Sequence, residues 1–340
     1  MDSPQLDNQT EFEVHPQLLL DRRGERLVVI VKATFVVPPT GGPLVLAEED
    51  QARPIRLGDE MWGEPEIESI RYPSDLCSIK PGTDVVVVAT ARAPEGPTPE
   101  FDAYVRVGHL KKAIRIFGLR VWESRGTGVS RARPIEQLDV RYDFAWGGRD
   151  TSNPERAVEE PRNPIGLGVV SSPDLLTHQL APQIEDPDQL IRSASTKPAP
   201  AGLGAVGRGA TPRRDYRGTY DDAWKEYRAP LPPSDEKDEM NLVASPGLIA
   251  QPPLVGGEDC ALLNLAEGGP LTFKLPTVKL EIRFTTRRRA TESVVPHLDT
   301  VLIDTWNTGP DKPIAVEMVW RASIPAPRRM KDASIVVVEH

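Results

Sequence analysis

Hydrophobic and polar residues alternate along two flanks of this chain, and the alternation stops between them. In residues 101–108 and 112–118, apolar and polar side chains take turns, which places one face of each strand on a core and the other in water. Gly108 and His109 separate these two runs, so we expect a tight hairpin there. Runs of β-branched and apolar residues predict further strands over residues 11–15, 26–37, 66–72, 83–93, 260–265, 271–276, 277–286, 297–306, 313–324 and 334–340.

Helical periodicity is scarce. Residues 221–228 predict a short helix capped by Thr219, and residues 172–180 are a second candidate. The chain contains 35 prolines, about twice the usual share, and proline breaks helix interiors but is tolerated at turns and strand edges. We therefore predict a mainly β protein, with antiparallel β-sandwich or barrel-like lobes, a long ordered loop-rich central segment and few short helices.

The same pattern divides the chain into three parts. Residues 1–140 are expected to form an N-terminal β lobe, residues 254–340 a C-terminal β lobe, and residues 141–253 a segment rich in Gly, Pro and aromatic residues that packs on the lobes. Disordered segments lack aromatic residues. The central segment contains several, among them Trp146 and Tyr227, so we interpret it as a rigid recognition surface.

Charge and cysteine content narrow the possible partners. The net charge of −9 and the isoelectric point near 5.3 oppose binding to a phosphate backbone, so no nucleic-acid partner is expected. The compact basic run Arg287–Arg289 is interpreted as a turn between strands. Cys77 and Cys260 are too few for a disulfide framework and are expected to be free thiols in a reducing compartment. With no leader pattern and no apolar window of membrane-spanning length, we predict a cytoplasmic protein without a membrane partner.

Motifs for catalysis are absent from the sequence. The five histidines have no metal-ligand spacing, neither Gly-Leu-Gly phrase has the context of a phosphate loop, and no Gly-x-Ser-x-Gly occurs. Glu185, Asp186 and Asp188, or the pair Asp221 and Asp222, could offer paired carboxylates for hydrolysis, but nearby arginines favour salt-bridged scaffolding. We predict no catalytic residue, no metal and no cofactor, and hence a protein that is not an enzyme.

Short phrases recur in a fixed order through the central segment. They comprise Tyr142, Phe144, Trp146, Gly147 and Gly148; Asn163, Pro164, Gly166 and Gly168; Pro182, Ile184 and Glu185; Pro200, Ala201, Gly202 and Gly204; Arg213, Gly218, Thr219, Tyr220, Asp221 and Trp224; and Leu231, Pro232 and Asp235. In this order they resemble a bacterial family, long known only as a domain of unknown function, whose members are encoded in type VI secretion clusters beside spike proteins and toxins. The chain departs from the family pattern at Ala181 and over residues 240–251.

The resemblance implies an accessory protein. It would be a non-catalytic adaptor or chaperone that binds a secreted toxin (effector), or its spike-associated domain, and helps load it onto the spike. The partners would then be the effector and a spike-tip protein, PAAR-like or spike. Two alternatives stay open, namely a carbohydrate-binding or glycan-acting β-sandwich protein and a structural assembly subunit of the injection machine.

Two sets of residues are predicted to build the recognition surface. Aromatic and charged side chains dominate protein interfaces, and those of the central segment are the predicted contacts, although Trp146 and Trp224 could instead fill the core. The contact set is Tyr142, Trp146, Glu185, Arg213, Tyr216, Arg217, Tyr220 and Trp224. The glycines are predicted to shape turns, with positive φ angles in the Gly-Leu-Gly phrases. They are Gly147, Gly148, Gly166, Gly168, Gly202, Gly204 and Gly218.

Overall fold

The fold is mainly β, as predicted. It is described from a computed structural model that covers residues 4–38, 42–64, 68–286, 289–309, 312–327 and 333–340. Strands account for 41% of the residues and helices for 8%. The strands are β1 (Gln5–Asn8), β2 (Glu13–Asp21), β3 (Gly24–Val36), β4 (Val45–Leu46), β5 (Glu60–Met61), β6 (Ile70–Tyr72), β7 (Thr83–Val88), β8 (Thr90–Arg92), β9 (Glu100–Val107), β10 (Leu110–Phe117), β11 (Gln137–Asp139), β12 (Trp146–Gly147), β13 (Arg149–Asp150), β14 (Val158–Glu159), β15 (Leu167–Gly168), β16 (Ile184–Glu185), β17 (Ile249–Ala250), β18 (Asp259–Leu263), β19 (Leu271–Lys274), β20 (Leu280–Thr286), β21 (Arg289–Val294), β22 (His297–Asp304), β23 (Ala315–Pro325) and β24 (Ala333–Glu339).

The helices are short. Two α-helices, α1 (Arg213–Tyr216) and α2 (Asp222–Tyr227), lie in the central segment. Single 3₁₀ turns occur at Ser124–Gly126, Tyr142–Phe144, Pro154–Arg156, Pro173–Leu176 and Asp238–Asn241. In the part of the chain that the structure describes, no helix has the length and apolar character needed to cross a bilayer.

The largest sheet has seven strands and joins the two flanks of the sequence. Its order is β17, β7, β22, β23, β3 and β2, with β4 paired to β3. The pairing of β7 with β22 is parallel, and the others are antiparallel. The strands of the expected N-terminal and C-terminal lobes therefore share one sheet, because β3 pairs with β23 along most of its own length.

Two further sheets complete the framework. The five-stranded sheet has the order β16, β10, β9, β18 and β19, and the four-stranded sheet has the order β1, β24, β20 and β21. Side chains from all three sheets meet in one apolar core, to which Val31, Ile114 and Ile335 belong. Among the described strands no sheet closes into a barrel. The predicted hairpin at Gly108 is confirmed, since β9 pairs with β10 across it.

The large sheet is buried on both faces, as the side chains of its strand β3 show, because they point alternately into two apolar clusters. Leu27, Val29 and Val31 point into the main core, whereas Val28 and Ile30 belong to a smaller apolar cluster on the opposite face. The long segment between β4 and β7 covers this second face. A strand that is buried on both faces has a nearly continuous apolar sequence, and for this reason the apolar run of residues 26–37 predicts a strand.

Charged side chains attach this covering segment to the sheet. Lys32 of β3 donates to Asp75 and Glu317, each at 2.9 Å, and the guanidinium of Arg56 donates to both carboxylate oxygens of Glu317 at 2.5 and 2.7 Å. All four side chains are buried. Buried charges are tolerated where each has a partner with good geometry, so this cluster holds the segment in one position.

A second ionic cluster fixes the next part of the same segment. Arg321 of β23 donates to Asp299 at 2.5 Å and to the carbonyl oxygens of Asp75 and Cys77. The ammonium group of Lys80 lies 2.8 Å from Asp84. Burial would lower the pKa of Lys80, but the carboxylates of Asp84 and Asp299 raise it above its usual range. The turn before β7 is therefore pinned to the sheet by ion pairs as well as by apolar contacts.

Several local predictions need correction. Residues 172–180 form only the 3₁₀ turn Pro173–Leu176. Helix α2 is capped by Asp221, because its carboxylate, and not the Thr219 hydroxyl, accepts the Trp224 amide. Strand β2 continues well past the predicted end at residue 15, whereas β1 and β21 were missed. Residues 287 and 288 of the basic run lie outside the described residues.

Candidate functional site

Side-chain hydrogen bonds to its own backbone hold the central segment together. The buried amide of Asn163 donates to the carbonyl oxygens of Tyr142 and Trp146, at 2.9 and 3.0 Å. Short two-residue pairings, β12 with β15 and β13 with β14, hold the neighbouring loops together. Buried backbone groups need partners, and here the polar residues of the recurring phrases supply them.

Two of the predicted contact residues, Tyr142 and Trp146, lie in the interior. The Tyr142 hydroxyl is hydrogen-bonded to Ser245, whose own hydroxyl donates to the carbonyl of Gly202 at 2.8 Å. Trp146 packs with Trp122 in a small apolar cluster beneath the loops. Both rings are almost fully buried, so neither can touch a partner, and the core-filling alternative holds for Trp146.

The two charged predictions are also buried. Glu185 contacts the guanidinium of Arg120 and accepts the Ile191 amide at 2.7 Å. Burial raises the pKa of Glu185 despite the attraction of Arg120. Arg213 donates to the carbonyl oxygens of Val206 and Met240 at 2.6 and 3.0 Å, and burial lowers its pKa to about 10. These side chains satisfy the backbone of the central segment and are corrected from contact residues to supports.

The glycines serve two different purposes. Gly147, Gly148, Gly168 and Gly218 have positive φ angles. The remaining predicted turn glycines lack them, so the expectation of positive φ is corrected for Gly166, Gly202 and Gly204. A Cβ atom at Gly202 would lie 2.8 Å from the Tyr142 ring, and one at Gly166 would lie 2.6 Å from a backbone oxygen, so close packing requires glycine there. A Cβ atom at Gly204 would meet nothing closer than 3.9 Å.

The other four contact residues lie on a projecting segment, residues 213–240, which we call the α1–α2 segment. Tyr220 is 53% exposed and Tyr227, which was not in the predicted set, is 80% exposed. Arg217 is exposed as well, while Tyr216 and Trp224 are half-buried. The rings of Tyr220 and Trp224 meet edge to face with centroids 4.6 Å apart. The segment thus presents aromatic surface to solvent.

Internal hydrogen bonds hold the α1–α2 segment in one conformation. Asp221 caps α2 by accepting the Trp224 amide at 2.7 Å, and the Trp224 indole donates to the carbonyl of Leu231 at 2.9 Å. Asp235 accepts both the amide and the hydroxyl of Thr219, and these bonds lower the pKa of Asp235. The aromatic side chains are therefore carried on a backbone that is already ordered.

Arginines connect the α1–α2 segment to the large sheet. The Arg228 guanidinium donates to the carbonyl of Arg22, which follows β2, and Asp238 pairs with Arg22 and Arg23 at 3.3 and 3.1 Å. The Lys237 amide donates to the carbonyl of Tyr216 at 2.8 Å. Position and orientation of the segment are thus set by the fold.

A cleft of about 460 Å³ lies near the base of this segment. The β5–β6 hairpin, the loop around Asn163 and residues 205–210 form its walls. Its floor is apolar and includes Met61, Ile70 and Val206, whereas Arg149, Arg162 and Arg208 stand at its rim. This cleft has no local signal in the sequence, because the β5–β6 hairpin lies far along the chain from residues 205–210.

A second hollow of about 280 Å³ adjoins the cleft at Val206. Its lining includes Tyr216, Arg213 and Leu242. This second hollow is bounded by both ends of helix α1.

Metal-binding chemistry finds no support in the described ranges. Among those residues no group of three or more His, Cys, Asp or Glu side chains is arranged to hold a metal ion. Cys260 is buried, and burial raises its pKa to about 12, which keeps the thiol protonated.

Comparison with known proteins places the chain among bacterial proteins. A family model described as an uncharacterized protein conserved in bacteria (DUF2169) matches residues 22–321. No curated protein and no solved structure matches the chain. The matched range includes the α1–α2 segment, the cleft and most of the large sheet.

Proposed function

We propose that this chain, which belongs to the DUF2169 family of proteins conserved in bacteria, is a non-catalytic adaptor that binds a protein partner through its α1–α2 segment. One observation carries the proposal: Tyr220 is exposed just before the cap of α2 and Tyr227 is exposed at its last residue, and the cap, the Trp224 indole and the following turn are fixed by internal hydrogen bonds. Tyrosine, tryptophan and arginine supply most of the binding energy at protein interfaces.

The energetic argument is one of pre-organisation. Binding costs the conformational freedom of every side chain and loop that becomes ordered at the interface. In the α1–α2 segment the backbone is ordered before binding by the bonds of Asp221 and Asp235. A tyrosine has only two rotatable side-chain bonds to immobilise, so more of its contact energy remains as affinity.

We further propose that the partner is a secreted toxin, or its spike-associated domain, together with a spike-tip protein of a type VI secretion system. Binding would take place in the cytoplasm of the producing cell, before secretion. Support for this partner comes from the ordered phrases of the central segment, which resemble those of accessory proteins encoded beside spike and toxin genes.

Two observations support a role without catalysis. Glu185, the buried carboxylate with a raised pKa, is locked between Arg120 and the Ile191 amide, away from solvent. Asp221 and Asp235 already accept hydrogen bonds that hold the α1–α2 segment together. These carboxylates are engaged in hydrogen bonds and an ion pair within the protein, which support its structure and leave them without a role toward a substrate.

Co-purification tests the proposal. The tagged chain is co-expressed with the proteins encoded by its neighbouring reading frames, and affinity for any captured protein is measured by calorimetry. The variant Tyr220→Ala/Tyr227→Ala is expected to weaken binding by about 2–4 kcal/mol, as for interface hot spots, with an unchanged melting temperature. Trp224 is left intact because its indole supports the backbone.

The matched control is Val255→Ala/Val295→Ala, which truncates two other exposed apolar side chains and should bind like the original protein. Extending the test to Tyr216, Arg217 and Tyr220, all changed to alanine, should likewise weaken binding. Equal affinity of the tyrosine variants and the control would place the interface elsewhere. Selective binding to a glycan array, with no protein captured, would favour the carbohydrate-binding alternative.

A further inference from the structure

The cleft beside the α1–α2 segment combines an apolar floor with positive charge that the protein does not neutralise. Arg149 and Arg208 are exposed at its rim, and neither makes an ion pair with any residue that the structure describes. Arg162 is different, because it pairs with Glu160 at 2.7 Å. In a chain with a net charge of −9, two unpaired arginines beside one cleft make it locally attractive to anions.

The acidic residues of the cleft do not cancel this charge. Glu68 is engaged by the Arg141 guanidinium at 2.5 Å, and Asp59 accepts the Ser74 amide at 2.8 Å. Glu68 therefore has a cationic partner, whereas Asp59 keeps its negative charge because the backbone amide that it accepts is neutral. Among the lining groups without an ion-pair partner in the described residues, the two arginines Arg149 and Arg208 outnumber the one carboxylate of Asp59.

One wall of the cleft also offers backbone donors. The amide groups of Gly207, Arg208 and Gly209 donate to no other atom within the described ranges. Gly207 and Gly209 have no side chains to shield these amides, and a Cβ atom at either position would meet nothing within 4 Å. Successive backbone amides together with arginine side chains are suited to carboxylate oxygens.

We propose that this cleft binds an extended segment of the protein cargo in which an acidic residue stands next to a large apolar residue. The apolar side chain would enter the floor between Met61 and Ile70, and the carboxylate would meet Arg149, Arg208 and the amides of residues 207–209. The cleft volume is within the usual range of ligand sites, and a second hollow shares the lining residue Val206 with it. The proposal rests on the proposed function in taking the ligand to be part of a bound protein.

The probe for this site is a library of random dodecapeptides displayed on phage and panned against the full-length protein. Enriched sequences are synthesised with a fluorescein label, and their affinity is measured by fluorescence anisotropy. We expect Asp or Glu beside Leu, Ile, Phe or Met in the enriched peptides, and weaker binding at higher salt because part of the attraction is ionic. Enrichment of sequences without acidic residues would overturn the proposal.

Two cleft variants then locate the binding. Arg149→Glu/Arg208→Glu reverses the free charges and should raise the dissociation constant at least ten-fold. Gly207→Phe fills the cleft and should have a similar effect. The matched control, Arg131→Glu/Arg133→Glu, changes two exposed arginines elsewhere and should leave affinity unchanged. Circular dichroism and melting curves confirm folding, and the charge variant, whose side chains are exposed, carries the test if Gly207→Phe does not fold.

The outcomes separate this inference from the proposed function. If cargo co-purifies and Tyr220→Ala/Tyr227→Ala releases it, whereas both cleft variants bind cargo and peptides normally, the adaptor proposal stands and the cleft inference is wrong. If peptides bind in the cleft but no protein is captured, the adaptor proposal fails and the peptide site remains. Displacement of the peptides by a twelve-nucleotide oligothymidine would assign the cleft to nucleic acid and overturn the inference.

Discussion

Glu317 offers a direct test of how the covering segment is held to the large sheet. Its carboxylate is 1% exposed and is contacted by Lys32 and by both terminal nitrogens of Arg56. Burial alone would raise the pKa of Glu317, but these two cations outweigh burial and lower it from its ordinary 4.5 to about 2. A difference of this size between the folded and unfolded chain corresponds to about 3 kcal/mol of stability.

The sign of the pH dependence follows from the direction of the shift. Because the folded pKa lies below the unfolded one, the stabilisation is complete above about pH 4.5 and is lost as the pH falls toward 2. Substituting Glu317→Gln removes the carboxylate and leaves Lys32 with Asp75, and Arg56 with the half-exposed Glu60, as their remaining ion-pair partners. Loss of one partner from a buried ion pair typically costs about 3–5 kcal/mol.

Urea denaturation between pH 7 and pH 2.5 measures both effects. At pH 7 the Glu317→Gln variant should unfold at a clearly lower urea concentration, and its stability should depend less on pH between 5 and 2.5 than that of the original protein. Glu281→Gln is the matched control, since Arg283 also holds the pKa of Glu281 at about 2 but this pair is partly exposed, and screened pairs contribute little. Equal midpoints for Glu317→Gln and the original protein would refute the reasoning.

Three further predictions concern the central segment. Gly202→Ala should lower stability by about 1–3 kcal/mol through overpacking, because its Cβ would lie 2.8 Å from a buried tyrosine ring; thermal melts should show no such loss for Gly204→Ala, where the nearest atom is 3.9 Å away. Asp221→Ala removes the cap of α2 and should cost about 1 kcal/mol locally, which hydrogen exchange would report as faster exchange of the first-turn amides, and unchanged exchange would show that the cap does not order the helix. Under the proposed function, Glu185→Gln and His178→Ala should leave delivery of the toxin intact where folding is normal, and loss of delivery with normal binding would reveal a catalytic site that we have missed.

Most of the long strands of this protein could be predicted from local patterns, but apart from the β9–β10 hairpin their partners could not. The alternation in residues 101–108 and 112–118 and the apolar run of residues 26–37 each correspond to an observed strand. The pairing of β3 with β23 depends on long-range packing, which leaves no local signal in either strand. Two flanks with similar patterns therefore looked like two lobes.

Burial of polar and aromatic residues was the other obstacle. Lys32 and Glu317 lie in apolar strands, and the interior tolerates their charges only because they form an ion pair. Tyr142 and Trp146 carry the amphipathic character of interface residues, yet the loops above the core also need large side chains to fill the space beneath them. Helix α2 itself was easier to predict, since acidic residues at its start and prolines after its end are local signals of a helix and its boundaries.

The pairing of β3 with β23 also determines how long one edge of β3 stays unpaired during synthesis. Val36 lies opposite Ala315, about 280 residues further along the chain. At typical rates of synthesis, about 5–20 residues per second, the ribosome needs roughly 15 to 55 seconds to produce the second strand after the first. During that interval one edge of the largely apolar strand β3 is unpaired on the nascent chain, and such an edge readily pairs with other chains. Any product that ends before residue 313 lacks β23 and keeps this edge of β3 unpaired. Complete synthesis of the C-terminal strands is therefore needed to protect the N-terminal strands from aggregation.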